Sequence, residues 1–452
     1  MALALALLLC LPLAACQGAG EESGFAPPSK AAGDTGTVVD GSGETNELPW
    51  LTMVVDSPVI PSVFVSEFLQ GLPGYGTEFQ VEYELINPLN MVVEGDDGKP
   101  AEDPEVRLRR MRTEMMAGKG PDIFLCDCAS AALWEVEGGK PFSEPTFNYP
   151  EKAMRNNLFL PLDEYIAQAG YMEWDRLNQK VMEAGRYDGK QYILPIKYHL
   201  NLTCFDPETV SAELAGEYAA FPTMEYTLNP EAAYTDLLSY FGQPADYGQE
   251  ELLFTEDELL KLALSGLDTV QKSREGHFDG LLNAQNHAFQ AGAMGQYLFH
   301  KASPRELPAY TMLPSFTRDG GVTASVSCFA AVNVNTKHPN EAFRVLDYLL
   351  SEEVQQNSYI TNSVSGMSVC DELGSADMPF GSSSKWWLNE SNYDSFCSVR
   401  EQISDVKFYT LLDREARFTL SKAYLAEDAT EDSVKSAVHN AYTTLKMMLA
   451  ES

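Results

Sequence analysis

At 452 residues the chain is too long for one ordinary hydrophobic core, so two lobes are expected. Hydrophobic residues make up 44% and aromatic residues 11%, which fits a globular protein. A formal net charge of −35 repels nucleic-acid phosphates and anionic lipid surfaces, and so argues against both as broad partners.

Met1 to Ala15 is uncharged and almost wholly apolar. It is shorter than the roughly 20 apolar residues that span a bilayer as a helix, and reads as the core of a secretory signal. The basic residues that usually precede such a run are missing. The run ends in Leu13-Ala14-Ala15-Cys16, where small residues before a cysteine resemble the lipobox of bacterial lipoproteins. That resemblance implies cleavage before Cys16 and a lipid on its thiol. Residues 16-47 are rich in Gly, Ser, Ala and acidic side chains without apolar periodicity, so a flexible tether is expected, with order from Leu48.

Leu51 to Val55 is strand-like and stops at the turn signal Asp56-Ser57-Pro58. Phe79, Val81, Tyr83 and Leu85 alternate with polar residues and mark a half-buried strand. Asp103-Pro104 opens a helix with Leu108, Met111 and Met115 on one face, and Gly118 and Gly120-Pro121 close it. Ile123 to Cys126 reads as a buried strand. This order implies an α/β layout with a largely parallel sheet. The segment from about 205 to 300 reads as mostly helical. Strand character returns at Tyr310 to Leu313 and at Val322 to Val334. Pro339 to Gln355 is amphipathic, as is a last segment with Val434, Ala437, Val438, Ala441, Leu445 and Met448 in one stripe. Cys126 and Cys128 lie about 6.6 Å apart along a strand, near the outer limit for a disulfide.

Several stretches then come in a fixed order: RLRRMRTEMMAGKGPD from Arg107 to Asp122, LFLPLDEYIAQAG from Leu158 to Gly170, YDGKQYILP from Tyr187 to Pro195, LTCFDP from Leu202 to Pro207, FQAGAM from Phe289 to Met294, and Leu313-Pro314 with Ala330 to Gln355. Together they resemble extracellular solute-binding protein family 1, which serves many sugar ABC importers. The resemblance runs from Leu48 to the C-terminus and is thin between 210 and 285. It implies a two-lobed periplasmic-binding-protein-like fold (type II), each lobe a mostly parallel sheet flanked by helices. It divides the chain into a signal peptide (1-15), a tether (16-47), a first lobe (48-196 plus 309-355) and a second lobe (197-308 plus 356-452). Crossings are implied near Ile196-Lys197, Leu307-Tyr310 and Gln355-Tyr359. The implied protein is a monomer anchored to the outer face of a cell membrane through Cys16, with ABC permease subunits as partners, a carbohydrate as ligand and no cofactor.

In open α/β sheets ligands bind beyond the carboxyl ends of strands. Asp56 and Ser57 follow the first strand, and Asp127, Cys128 and Ser130 follow the third. Lys197, Tyr198 and His199 sit at the first implied crossing, and Gln296 and Tyr297 follow FQAGAM. Ser327 and Phe329, with Cys328 between them, occupy the place of the family's Gly-rich loop, and its glycines are missing here. Trp386 and Trp387 form a doublet in a polar loop; in an extended segment they point to opposite sides, so one of them packs elsewhere. A sugar offers C–H faces to aromatic rings and hydroxyls to fixed polar groups, and this set supplies both.

Other classes fare worse. A glycan hydrolase needs paired carboxylates, and no motif points to a pair. There is no G-x-S-x-G, no H-x-x-x-H pair and no phosphate-binding loop, so neither catalytic residues nor a metal site are expected. Lys197 with His199 suits an acidic sugar, whereas the high acidic content leaves a peptide or polyamine open as ligand.

Overall fold

A computed structural model describes residues 37–39, 45–56, 62–86, 104–128, 135–136, 140–141, 145–205, 207–208, 211–220, 236–278, 289–293, 311–355, 367–370 and 390–451. The chain forms two compact units. The first, Met1–Glu47 with Val93–Ala101, is described only by an antiparallel hairpin pairing Thr37–Val39 with Thr45–Glu47. This hairpin lies inside the expected tether; β-branched Thr37, Val38 and Val39 favour the extended chain. The signal run and Cys16 lie outside the described residues.

The second unit, Leu48–Val92 with Glu102–Ser452, holds everything else. Strand β1 (Trp50–Asp56), helix α1 (Ser62–Gly71), β2 (Gln80–Ile86), α2 (Pro104–Met116) and β3 (Ile123–Asp127) follow in the expected alternation. β1 pairs in parallel with both β2 and β3. On α2, Leu108, Met111 and Met115 are buried as their spacing requires. The helix stops because Gly118 and Gly120 take φ values of +73° and +99°, which side-chain-bearing residues rarely adopt.

β4 (Ile193–His199) then enters the same sheet, and β5 (Asn201–Phe205) enters another, so the chain changes sheet at Leu200. The boundary expected at residue 197 thus falls inside β4, whose run as far as His199 is held by the neighbouring long strand. After α3 (Ala212–Ala219) and α4 (Glu256–Arg274) come β6 (Phe289–Ala293) and β7 (Thr311–Pro314). Both flank β5 in antiparallel pairing. The described part of the middle is thus largely helical, as expected, but β6 departs from that reading, and the expectation of a parallel second sheet fails. Main-chain pairing with β5 overrides the weak propensity of Gly- and Ala-rich β6.

The spine is β8 (Val322–Val332), buried along its whole length. It pairs antiparallel with β4 on one edge. On the other edge its second half meets β3 antiparallel, and its first half meets β10 (Ile403–Phe408) in parallel. The short β9 (Met367–Ser368) completes this seven-stranded mixed sheet beyond β4. Of the remaining helices, α5 (Pro339–Leu349) packs on β8. α6 (Glu390–Arg400) precedes β10, while α7 (Leu411–Leu425) and α8 (Glu431–Glu451) pack on α4. The large sheet has its own apolar core, and the α4–α7–α8 group has a second. On α8, Val434, Val438, Ala441, Leu445 and Leu449 are buried at helical spacing. Full capping boxes start α4 (Thr255 with Glu258) and α7 (Thr410 with Asp413).

Candidate functional site: a polar floor in the large sheet

Register brings many of the candidate residues together. Asp56 faces Cys126 across β1 and β3, Cys126 faces Phe329 on β8, and Phe329 faces Pro195 on β4. The next row holds Asp127, Cys328, Lys197 and Ser368. The Cys128 amide donates to the Ser327 carbonyl at 2.6 Å. Further along β8, Tyr198 faces Val326 and His199 faces Ser325. Directly paired residues share a face, and every second residue of a strand returns to it. Asp56, Cys126, Phe329, Ser327, Ser325 and His199 therefore mark one face of the sheet.

That face is enclosed rather than open. Asp56 is 3% exposed, His199 2% and Ser327 0%; Lys197, paired with Cys328 and so on the opposite face, is equally buried. The 145–149 segment covers one end. There the Thr146 amide donates to Asp56 Oδ2 at 2.6 Å, and Phe147 lies with its ring centroid 6.3 Å from that of Phe329. Tyr198 and Phe329, expected as ligand contacts, are part of the apolar core. Burial, reinforced by Asp56 and the neighbouring cysteines, pushes the Cys126 thiol well above its usual range. Thr146 also lines a cavity of about 620 Å³ with Arg112, Phe147, Asn148, Tyr149 and Lys152.

The other end of the face carries an ion cluster. Lys407 Nζ, on β10, donates to Asp236 Oδ1 at 2.9 Å and to Asp413 Oδ1 at 2.7 Å, and all three side chains are buried. Ser325 Oγ donates to Asp236 Oδ2, and His199 Nε2 lies 3.5 Å from the same oxygen. Thr410 donates to Asp413 Oδ2 from its amide at 2.8 Å and its hydroxyl at 3.1 Å. Burial alone would raise Asp236, but Lys407, His199 and Ser325 outweigh it and hold that carboxyl well below the usual range. For Asp413 burial wins over Lys407, and with the charge of Asp236 pushes the group up to about 6. Burial pushes nearby Glu151 up to about 7.

Asp236, Lys407, Asp413 and Glu151 were not among the residues singled out from sequence. The readable hints were a lysine inside the apolar run Val406 to Tyr409 and the capping pattern Thr410-x-x-Asp413. Of the other candidates, Asp127 is described in backbone only, and Ser57, Ser130, Gln296, Tyr297, Trp386 and Trp387 lie outside the described residues. Among the described residues no group of three or more His, Cys, Asp or Glu side chains is placed to hold a metal ion. Nor, among them, is any helix long and apolar enough to cross a membrane.

No family model matches the sequence, and no curated protein matches it. Solved structures do match in fold. An extracellular solute-binding protein family 1 member from Alicyclobacillus acidocaldarius is 12% identical with a TM-score of 0.52, covering 89% of this chain and 100% of its own. An ABC transporter solute-binding protein from Agrobacterium radiobacter, in complex with ribitol, is 11% identical with a TM-score of 0.53, covering 88% and 98%. The galacto-N-biose/lacto-N-biose I-binding protein of the ABC transporter from Bifidobacterium longum, in complex with lacto-N-biose, is 14% identical with a TM-score of 0.51, covering 89% and 98%. The chain has their two-lobed, periplasmic-binding-protein-like α/β fold.

Proposed function

We propose that the protein is a solute-binding subunit of an ABC importer, held to the outer face of a membrane by a lipid on Cys16, and that it captures a mono- or oligosaccharide by hinge closure. One observation carries this reading. In a fold shared with solute-binding proteins, Asp56 and Ser327 lie on one face of the large sheet, and the backbone row of Asp127 and Lys197 adjoins them, where β1 and β3 end. Ligands of open α/β sheets bind at such ends. The ribitol and lacto-N-biose held by two of the fold relatives support a polyol or sugar as ligand. Gln296, Tyr297, Trp386 and Trp387, with Ser57 and Ser130, would supply the stacking rings and further polar contacts. Because the floor is enclosed, entry requires the covering segments to swing away, and closure is favoured by contacts the ligand makes to both lobes at once.

The test is a ligand screen on protein lacking residues 1–47. A carbohydrate should raise the melting temperature in proportion to the logarithm of its concentration above Kd. Stabilisation by amines or peptides alone would refute the sugar assignment, and turnover of a glycan would refute a pure binding role.

A further inference from the structure

The Lys407 cluster sits where the chain passes from one sheet to the other. His199 ends β4 and Asn201 opens β5, and Asn201 Nδ2 donates to the Asp236 carbonyl at 3.2 Å and to Ser239 Oγ at 2.8 Å. Ser239 Oγ donates to the Asp236 carbonyl at 2.6 Å, and Thr323 Oγ1 on β8 donates to the Ser239 carbonyl at 2.7 Å. Lys407 and Asp413 bring in β10 and the cap of α7. The cluster therefore bolts together the large sheet, the start of the second sheet and the helical core.

One ammonium lies within hydrogen-bond distance of two carboxylates. A third carboxylate, Glu151, has Oε2 shielded from solvent and without a hydrogen-bond partner. The titratable and charged groups around them are Tyr149 (which caps the short helix Pro150–Arg155 that carries Glu151), Tyr247, His199, Tyr409, and Arg414 and Arg417 on α7. A buried carboxylate that cannot share a cation lowers its free energy by taking a proton.

We propose that this cluster is a proton-responsive latch, whose buried carboxylates take up protons as the medium passes from weakly alkaline to weakly acidic, making the sheet junction firmer as they do. The direction follows from linkage. Glu151 and Asp413, raised from 4.5 to about 7 and from 3.8 to about 6, bind protons more tightly in the folded chain than in the unfolded one. Stability therefore rises as pH falls through these values and levels off below the unfolded ones. Asp236 acts in the opposite sense, but its contribution is lost only below its unfolded value of 3.8. Between about pH 8 and about pH 5.5 the two raised groups together multiply the folding constant about a hundredfold, most of it from Glu151.

Urea unfolding of the full chain without ligand, at about pH 8 and about pH 5.5, tests this directly. The parent should be more stable at the lower pH. Glu151→Gln should be more stable than the parent at the higher pH, match it at the lower, and lose most of the gain; Asp413→Asn should remove a smaller share, about fourfold. Carboxyl ¹³C NMR of the parent should show two groups titrating between about pH 5.5 and pH 7.5, which keeps the test open if Asp413→Asn does not fold. A parent whose stability is flat or falls over the interval, or whose gain survives in both variants, overturns the latch. No ligand enters the experiment, so its failure is separable from failure of the solute-binding reading.

Discussion

The two ends of the polar face solve the burial of a carboxylate in different ways. At one end Asp56 closes β1 and accepts the Thr146 main-chain amide among the sulfurs of Cys126, Cys128 and Cys328. At the other end Asp236 and Asp413 are held by the ammonium of Lys407, contributed from a different strand. A main-chain donor belongs to a covering segment and leaves when that segment swings away. A buried ammonium stays with the carboxylates it neutralises. Under the proposed function, the Asp56 end belongs to the cleft that opens, and the Lys407 end to the junction that stays in place.

The sharpest way to break this comparison is Lys407→Met. It leaves two buried carboxylates facing each other without their cation, and loss of one partner from a buried ionic group costs about 3–5 kcal/mol. Urea unfolding near neutral pH should show that loss. It should shrink in mildly acidic solution, where the carboxylates can protonate instead. A loss below about 1 kcal/mol would mean that water reaches the cluster, and the distinction between the two ends would vanish.

Asp56→Asn should behave otherwise. Asparagine still offers an oxygen to the Thr146 amide, so that hydrogen bond loses its charge assistance but is kept, and stability should change by less than about 1.5 kcal/mol. Affinity for a carbohydrate found in the screen should fall at least about tenfold, the equivalent of about 1.4 kcal/mol. Calorimetric titration beside urea unfolding separates the two effects. A destabilisation as large as that of Lys407→Met, with affinity intact, would move Asp56 from the cleft to the scaffold.

The contrast also tracks what was legible in the sequence. Strands β1 to β3 and helix α2 follow from local patterns: alternation around Val81, the Asp103-Pro104 start, the glycine stop after Met116. The residues at the ends of β1 and β3 follow from the same patterns, because an α/β sheet puts its functional ends there. The Lys407 cluster does not. Asp236 and Lys407 are far apart in sequence and meet only because β10 pairs in parallel with the first half of β8. No periodicity encodes that pairing. For the same reason β6, with Gly292 between alanines, looked helical until its partner β5 was known. Capping was legible in kind, since Thr410-x-x-Asp413 is spelled out in the chain, but the second role of Asp413 as a ligand of Lys407 needed the fold.

The smallest expected effect concerns reactivity, and it tests whether the cover over Asp56 opens at all. Cys126 is buried and its thiol is pushed well above its usual range, so it should resist alkylation in the folded chain. Cys397 on α6 is only half-buried, with Arg400 Nη2 at 3.6 Å from its sulfur, and should react first. Peptide mapping after iodoacetamide treatment should show Cys397 modified at least about tenfold faster, with the difference abolished in urea. If Cys126 instead reacts readily in the folded state and a bound carbohydrate slows it, the 145–149 segment opens on its own and the ligand holds it shut. That outcome would keep Asp56 at the cleft and turn its burial into a population of closed molecules, with the labelling rate giving the size of the open fraction.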